Sequence, residues 1–116
     1  VHCQRVPLAG KGISTFFNPG KILAAFNHKA SMDNEQTAIV FETVSGRKYK
    51  VKQIAGLIAR RILNYMEPEM VVEKGERLGF IRFGSRVDII VPPNFKINVS
   101  LGDIVEGNLS IIGEFE

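Results

Sequence analysis

The segment Phe83-Gly84-Ser85-Arg86 contains the residues best suited to covalent chemistry. It interrupts a strand-like pattern over residues 78–92, and glycine weakens a strand because it has no side chain to pack. One interpretation is a β-bulge or a tight turn. The other is a strained peptide bond, at which the Ser85 hydroxyl attacks the unhindered Gly84 carbonyl. An N→O acyl shift and β-elimination would then leave a dehydroalanine that hydrolyses to a pyruvoyl group. The tetrapeptide alone leaves both interpretations open.

Four arginines form a second candidate group, two of them in or beside this segment and two further upstream: Arg60, Arg61, Arg82 and Arg86. Any one of them is compatible with a solvated strand face, but together they could hold a phosphodiester, because a guanidinium binds phosphate bidentately. Asp88 could pair with Arg86 or orient His2, and the sequence does not decide between these roles. Two histidines and one cysteine without ligand spacing predict no metal site.

The composition limits the classes of protein to which these residues can belong. The 116 residues suit a single domain, residues 1–116, and 45% of them are hydrophobic. Fifteen Lys and Arg against twelve Asp and Glu give a net charge of +3, which fits an anionic partner, either phosphate-bearing lipid or nucleic acid. No apolar run approaches the roughly 20 residues of a membrane span. The single cysteine, Cys3, cannot form an internal disulfide, which favours a reducing compartment.

Glycine and proline recur throughout the chain at the spacing of a small all-β domain. The clearest hairpin has arms at 37–44 and 47–53 around Ser45-Gly46. A short helix is predicted near 21–28, a loop over 31–36, and Gly-plus-acid turns at Val72-x-x-Gly75-Glu76 and Val99-x-x-Gly102-Asp103. Residues 54–66 fit a helix or a strand equally well. Further strands are predicted at 13–17, 70–73, 78–83, 87–91, 96–99 and 109–112.

The run from Gly75 to Asp88, which includes Gly84-Ser85, resembles the processing segment of the short-form phosphatidylserine decarboxylases. Those pyruvoyl enzymes cleave themselves between this glycine and this serine. Residues 53–62 (QIAGLIARRI) are similar to the family's QIAG-x-x-ARRI, and residues 2–10 (HCQRVPLAG) to its HxxRxPxxG. Pro19-Gly20-Lys21 with Asn34-Glu35, and Gly102-Asp103 with Gly107, match in order and spacing, whereas Gln36 stands where the family usually has Arg.

The resemblance implies a mostly β fold, a compact barrel-sandwich hybrid of short strands with at most one short helix, in which 54–66 is strand. It implies a carboxy-lyase that converts phosphatidylserine to phosphatidylethanolamine and CO₂. Cleavage between residues 84 and 85 would give a β chain, 1–84, and an α chain, 85–116, whose pyruvoyl cofactor derives from Ser85. Because family members begin further upstream, we expect the chain to lack the family's N-terminal part, and whether this piece alone is active stays open.

The same resemblance implies roles for individual residues. Ser85 would be the source of the catalytic carbonyl, and His2 would protonate the carbanion left after decarboxylation, since an imidazole titrates near neutrality. Arg60, Arg61 and Arg86 would hold the substrate phosphate. The implied partners are phosphatidylserine in an anionic membrane surface and, for each fragment, the other of the β and α chains. The resemblance is also compatible with a homo-oligomer, and no nucleic-acid partner is expected. The implied location is peripheral, on the cytoplasmic face of the cell membrane.

A different class of function also fits part of the sequence. Lys48, Lys50 and Lys52 alternate with Tyr49 and Val51 along one predicted strand, so that one face is basic. Together with Arg60-Arg61, this face could belong to a non-catalytic β-barrel module that binds anionic lipid or RNA. Salt-sensitive binding without a cleaved form of the chain would distinguish that module from the decarboxylase.

Overall fold

A computed structural model of the chain describes residues 2–18, 36–54, 62–64, 67, 69–81 and 86–115. Within these residues the regular structure is all strand, which confirms the prediction of a mostly β fold. The strands are β1 (His2–Arg5), β2 (Gly10–Asn18), β3 (Gln36–Thr43), β4 (Lys48–Ile54), β5 (Ile62–Asn64), β6 (Val71–Val72), β7 (Arg77–Ile81), β8 (Arg86–Ile90), β9 (Phe95–Ile97) and β10 (Gly113–Phe115). In this part of the chain they form three open sheets rather than a closed barrel.

The largest sheet has the strand order β6-β2-β3-β4-β8, with every pair antiparallel. Its centre follows from alternation, because successive side chains of a strand point to opposite faces. Ile39 and Phe41 of β3 are buried, as are Tyr49 and Val51 of β4. Phe41 lies directly opposite Tyr49, and their rings stack with centroids 5.1 Å apart. Burying side chains of this size stabilises a fold by roughly 1.5–3 kcal/mol each.

The turn between β3 and β4 closes on the predicted residues. The Thr43 N–H donates to the Arg47 carbonyl at 2.8 Å, and the Gly46 N–H donates to the Thr43 carbonyl at 2.9 Å. Gly46 has a φ of 84°, a left-handed conformation that glycine adopts without steric cost. The hairpin prediction is therefore confirmed, with arms at Gln36–Thr43 and Lys48–Ile54.

The second sheet has the order β1-β7-β5, and it packs on the first sheet around a shared core. That core joins Val6 and Leu78, which belong to the β1 and β7 side, with side chains of β3, β4 and β6. Strand β1 was not predicted, because its sequence His-Cys-Gln-Arg carries no apolar alternation. Its end is tied down instead by backbone and side-chain bonds: the Val6 N–H donates to the Glu76 carbonyl, and Arg5 Nη1 donates to the Gly75 carbonyl at 2.9 Å.

Both predicted Gly-plus-acid turns are present, and they have the same geometry. In each, glycine has a left-handed φ, 86° at Gly75 and 88° at Gly102. In each, the acidic side chain accepts a hydrogen bond from the backbone N–H three residues before it. The Glu73 N–H donates to Glu76 at 3.0 Å, and the Ser100 N–H donates to Asp103 at 2.9 Å. The acid therefore caps the first residue of a turn that only glycine closes without strain.

Most predicted strands correspond to observed ones, with ends shifted by one to three residues, but the strand at 109–112 is wrong. The N–H groups of Leu109 and Ser110 both donate to the Glu106 carbonyl, which makes a turn, and β10 begins only at Gly113. The predicted loop 31–36 is corrected at its last residue, Gln36, which begins β3. In 54–66, Ile54 ends β4 and Ile62–Asn64 form β5. The predicted helix at 21–28 lies outside the described residues.

Candidate active site

Only part of the predicted site falls on residues that the structure describes. Gly84, Ser85, Arg60 and Arg61 lie outside them, as does Arg82. His2 is the first residue of β1, and Arg86 is the first residue of β8. The geometry of the candidate site is therefore given by the strands on either side of residues 82–85 and 55–61.

These flanking strands pair with each other at their ends. Ile81, the last residue of β7, lies opposite both His2 of β1 and Ile62 of β5. Arg86 lies opposite Ile54, the last residue of β4. Opposed residues in antiparallel strands have Cα atoms about 4.5–5.5 Å apart. Ile81 and Arg86 flank residues 82–85, and they lie next to Ile62 and Ile54, which flank residues 55–61. His2 lies next to Ile81. These two places, where Ile81 meets Ile62 and where Arg86 meets Ile54, are the junctions around the candidate site.

A buried amide pair connects the two sheets close to these junctions. Gln53 Nε2 donates to Gln4 Oε1 at 2.7 Å. Gln53 is 0% exposed and Gln4 is 7% exposed, in the interior between β4 and β1. Gln4 is two residues after His2, and Gln53 directly precedes Ile54, the partner of Arg86.

Sequence reasoning assigned no role to these two glutamines, although both lie in the quoted motifs. A signal for Gln53 was present. It is the polar residue in the series Tyr49, Val51, Gln53, whose other members point into the core. A polar side chain at an inward position of a strand requires a buried hydrogen-bonding partner.

Arg86 and Asp88 form a bidentate ion pair on one side of β8. Arg86 Nε donates to Asp88 Oδ1 at 2.7 Å and Nη2 donates to Oδ2 at 3.3 Å. The arginine side chain is 33% exposed and the aspartate 23%. Of the two roles that the sequence left open for Asp88, the structure shows the pairing with Arg86. The pair engages two of the five N–H donors of the guanidinium and fixes its orientation.

The basic face of β4 is less positive than its lysines suggest. Lys48 lies opposite Glu42 of β3, and Lys52 lies opposite Asp88 of β8. Cross-strand neighbours of opposite charge attract each other and lower the net potential of the face. Asp88 is shared with Arg86, and Lys50 lies opposite the apolar Val40 and Ile90, so the face keeps a positive balance that is smaller than its lysines alone suggest.

Other kinds of site find no support in the described residues. They contain no group of three or more His, Cys, Asp or Glu side chains able to hold a metal ion. Within the same ranges there is no helix with the length and hydrophobicity that crossing a membrane requires. An open depression between Leu8, Thr43 and Phe115 lies at the β3–β4 turn, the end of these strands remote from Gln36 and Ile54.

A comparison with protein families matches residues 1–113 to the family described as phosphatidylserine decarboxylase. The chain belongs to the phosphatidylserine decarboxylase family. The match includes the segments 53–62 and 75–88 that carried the resemblance, and the predicted family is confirmed.

Curated relatives agree with this assignment. The chain is 43% identical to a phosphatidylserine decarboxylase proenzyme of Geotalea uraniireducens over 113 residues, which are 97% of this chain and 53% of that protein. It is 44% identical to the proenzyme of Nitrosomonas eutropha (99% and 53%) and 45% identical to that of Syntrophus aciditrophicus (99% and 54%). The chain spans about half the length of these decarboxylase-family relatives. No solved structure matches it.

Proposed function

We propose that this protein is a phosphatidylserine decarboxylase that cleaves its own chain between Gly84 and Ser85. The observation that carries the proposal is the family match over residues 1–113, which includes the Phe83-Gly84-Ser85-Arg86 segment. The proenzyme names of the relatives agree with a protein that is processed before it acts.

The cleavage uses the chemistry available to a serine after an unhindered glycine. Ser85 Oγ attacks the Gly84 carbonyl carbon, and the C–N bond between the two residues breaks as the new C–O bond forms. Elimination of the resulting ester releases residues 1–84 with a free carboxylate at Gly84. The dehydroalanine left at position 85 takes up one water and loses ammonia to give a pyruvoyl group.

The sheet pairing supports a product in which both fragments stay together. Strand β4 belongs to the fragment 1–84 and β8 to the fragment 85–116, and they pair from Lys50 opposite Ile90 to Ile54 opposite Arg86. The backbone hydrogen bonds of this ladder do not depend on the peptide bond between residues 84 and 85. Cleavage would therefore leave a complex of a β chain and an α chain.

When present, the pyruvoyl group supplies a carbonyl that binds the substrate amine and accepts electrons as CO₂ leaves. This chain's own residues would do the rest. His2 would hold and deliver the proton that replaces the carboxylate, and its register opposite Ile81, at the end of β7, supports that assignment. Arg60, Arg61 and Arg86 would bind the phosphodiester, with Arg86 oriented by Asp88.

The substrate sets the proposed surroundings of the enzyme. Phosphatidylserine resides in a bilayer, so the protein would act as a peripheral protein at an anionic membrane surface. A net charge of +3 favours attraction to such a surface. We place the enzyme on the cytoplasmic face, where the single cysteine stays reduced.

The test compares the wild type with Ser85→Ala, both expressed as the gene encodes the protein. Intact mass spectrometry should show two chains for the wild type, with the second blocked at its first residue, and one chain for Ser85→Ala. Release of CO₂ from carboxyl-labelled phosphatidylserine vesicles should fall to background in the variant.

The matched control is Ser14→Ala, which removes an exposed hydroxyl from β2 and should leave both readouts at the wild-type level. Decarboxylation by an intact wild-type chain, or by Ser85→Ala, would refute the proposal.

A further inference from the structure

We infer that the buried pair of Gln4 and Gln53 fixes β1, with His2 at its start, relative to β4 and β8, and so sets the rates of self-cleavage and of proton delivery. This inference rests on the proposed function. It concerns two residues that contact each other in the interior and act through their neighbours on β1 and β4.

The pair is a direct side-chain bond between the two sheets. In the described residues β1 pairs with β7, and β4 pairs with β3 and β8, so no backbone ladder joins β1 to β4. The bond from Gln53 Nε2 to Gln4 Oε1, at 2.7 Å, joins them directly. Apolar packing around the shared core holds the sheets together but is non-directional, whereas a hydrogen bond fixes distance and angle.

Stability alone does not explain amides at these positions. Gln53 is fully buried next to Ile54, and its strand neighbour Val51 is a core residue. Moving an amide into such surroundings is unfavourable, and the hydrogen bond mainly offsets that cost. Two apolar side chains of similar volume are often as stable as a buried polar pair. The directional bond therefore contributes a defined placement of the strands more than net stability.

The relative position of β1 and β4 affects the candidate site because only a few residues of strand separate each glutamine from it. Gln4 is two residues from His2 on one strand, a separation of about 6.6 Å along the chain. Gln53 is joined to Ile54, which pairs with Arg86, the residue after Ser85. Ile81 pairs with His2, so a shift between β1 and β4 changes the separation between Ile81 and Arg86, the described residues on either side of Gly84 and Ser85. It changes the separation between His2 and Arg86 by a similar amount. A misplacement of about 1 Å can slow a reaction roughly 100-fold.

The test replaces both amides by the nearly isosteric Gln4→Met/Gln53→Met, in the protein as its gene encodes it. We expect a folded protein with a urea midpoint close to that of the wild type. Its self-cleavage, followed by intact mass against time, should be roughly tenfold or more slower. In the cleaved enzyme kcat should fall while KM for phosphatidylserine vesicles stays unchanged, because neither glutamine is placed against the substrate.

Thr37→Val is the matched control. Thr37 is buried and lies directly opposite Gln53 on β3, so the variant also makes a polar interior position apolar but keeps the amide pair. It should cleave at the wild-type rate. If the double variant does not fold, Gln4→Leu/Gln53→Leu makes the same comparison, because it also removes both amides and leaves neither partner unpaired. Cleavage as slow as expected above would then support the inference, and cleavage at the wild-type rate would overturn it.

The outcomes separate this inference from the proposed function. Wild-type rates of cleavage and decarboxylation in the folded double variant would overturn the inference and leave the proposed function intact. A wild-type protein that never cleaves would overturn both. An equal loss of rate in Thr37→Val would overturn the positioning role, because any polar-to-apolar change in this part of the core would then have the same effect.

Discussion

At the scale of single residues, the ionisation of Tyr49 makes the stability of the core depend on pH. Its hydroxyl donates to the Leu8 carbonyl at 3.1 Å and accepts from the Leu8 N–H at 3.3 Å. Burial raises the pKa of Tyr49 to about 12 from the usual 10.0, and the hydrogen bond from the Leu8 backbone lowers it by less. The folded state therefore favours the neutral phenol, and the unfolded chain loses the proton first as pH rises.

This shift predicts an alkaline loss of stability. The contribution of Tyr49 is fully present below pH 10 and is lost as pH rises from 10 to about 12, because the raised pKa belongs to the folded state. Urea unfolding at about pH 8 and about pH 11.5 should show a loss on the order of 2 kcal/mol from this residue.

Tyr49→Phe is the matched variant. At neutral pH it should cost about 1 kcal/mol, because the Leu8 backbone loses its partner. Between neutral and alkaline pH it should lose less stability than the wild type does. An equal alkaline loss in both proteins would show that Tyr49 is not the group responsible. The chain has two tyrosines, so an alkaline titration followed by tyrosinate absorbance should show two ionisations. The one at higher pH should be missing in Tyr49→Phe.

At the scale of elements, close approach between strands explains a glycine that the sequence presents only as part of a motif. Gly10 ends the segment HCQRVPLAG and begins β2, opposite Thr43 of β3 and Val72 of β6. A Cβ at this position would overlap the Glu42 carbonyl oxygen and stand 3.0 Å from the Thr43 Cα. The three nearest atoms all belong to the backbone of β3, which cannot move aside as the end of a flexible side chain could.

Gly10→Ala should therefore lower the free energy of unfolding by roughly 1–3 kcal/mol, the range for overpacking. Gly107→Ala is the control, since nothing lies within 4 Å of a Cβ at that position. It should change stability by less than about 0.5 kcal/mol. Urea denaturation of both variants measures the difference. Equal midpoints for the two would contradict the proposed crowding of β2 against β3.

The elements differ in how far their sequences determine them. Strands β3 and β4 were predictable because one face packs against the core and the other meets solvent, which leaves an alternating pattern. Three of the four residues at 109–112 are apolar too, but the turn at Glu106 competes with a strand there, and periodicity does not report on such a turn. The Gly84-Ser85 site is a prediction from its motif, whereas the Gln4–Gln53 bond joins residues 49 apart in sequence and only the fold reveals it.

At the scale of the whole molecule, the apolar surface is unevenly distributed. The segment from the last residue of β9 to β10 exposes many large apolar side chains: Ile97, Leu101, Ile104, Leu109 and Ile111. Its backbone and capping hydrogen bonds join residues within the segment, such as the Asn98 N–H to the Ile112 carbonyl and the Ser100 N–H to Asp103. In the described residues this segment, 97–112 (the arm), thus has little side-chain burial in the core, although the Asn108 side chain lies beside Gly75.

This separation predicts that the arm and the core respond differently to polar substitution. Leu101 and Ile104 are fully exposed, so Leu101→Ser/Ile104→Ser should change the free energy of unfolding of the 116-residue chain by less than about 0.5 kcal/mol. Exposed apolar patches promote association, so the double variant should also scatter less light at high protein concentration. Leu78→Ala, in the shared core, should instead cost roughly 2–5 kcal/mol. A loss for the arm variant comparable with that of Leu78→Ala would mean that the arm packs on the core in solution.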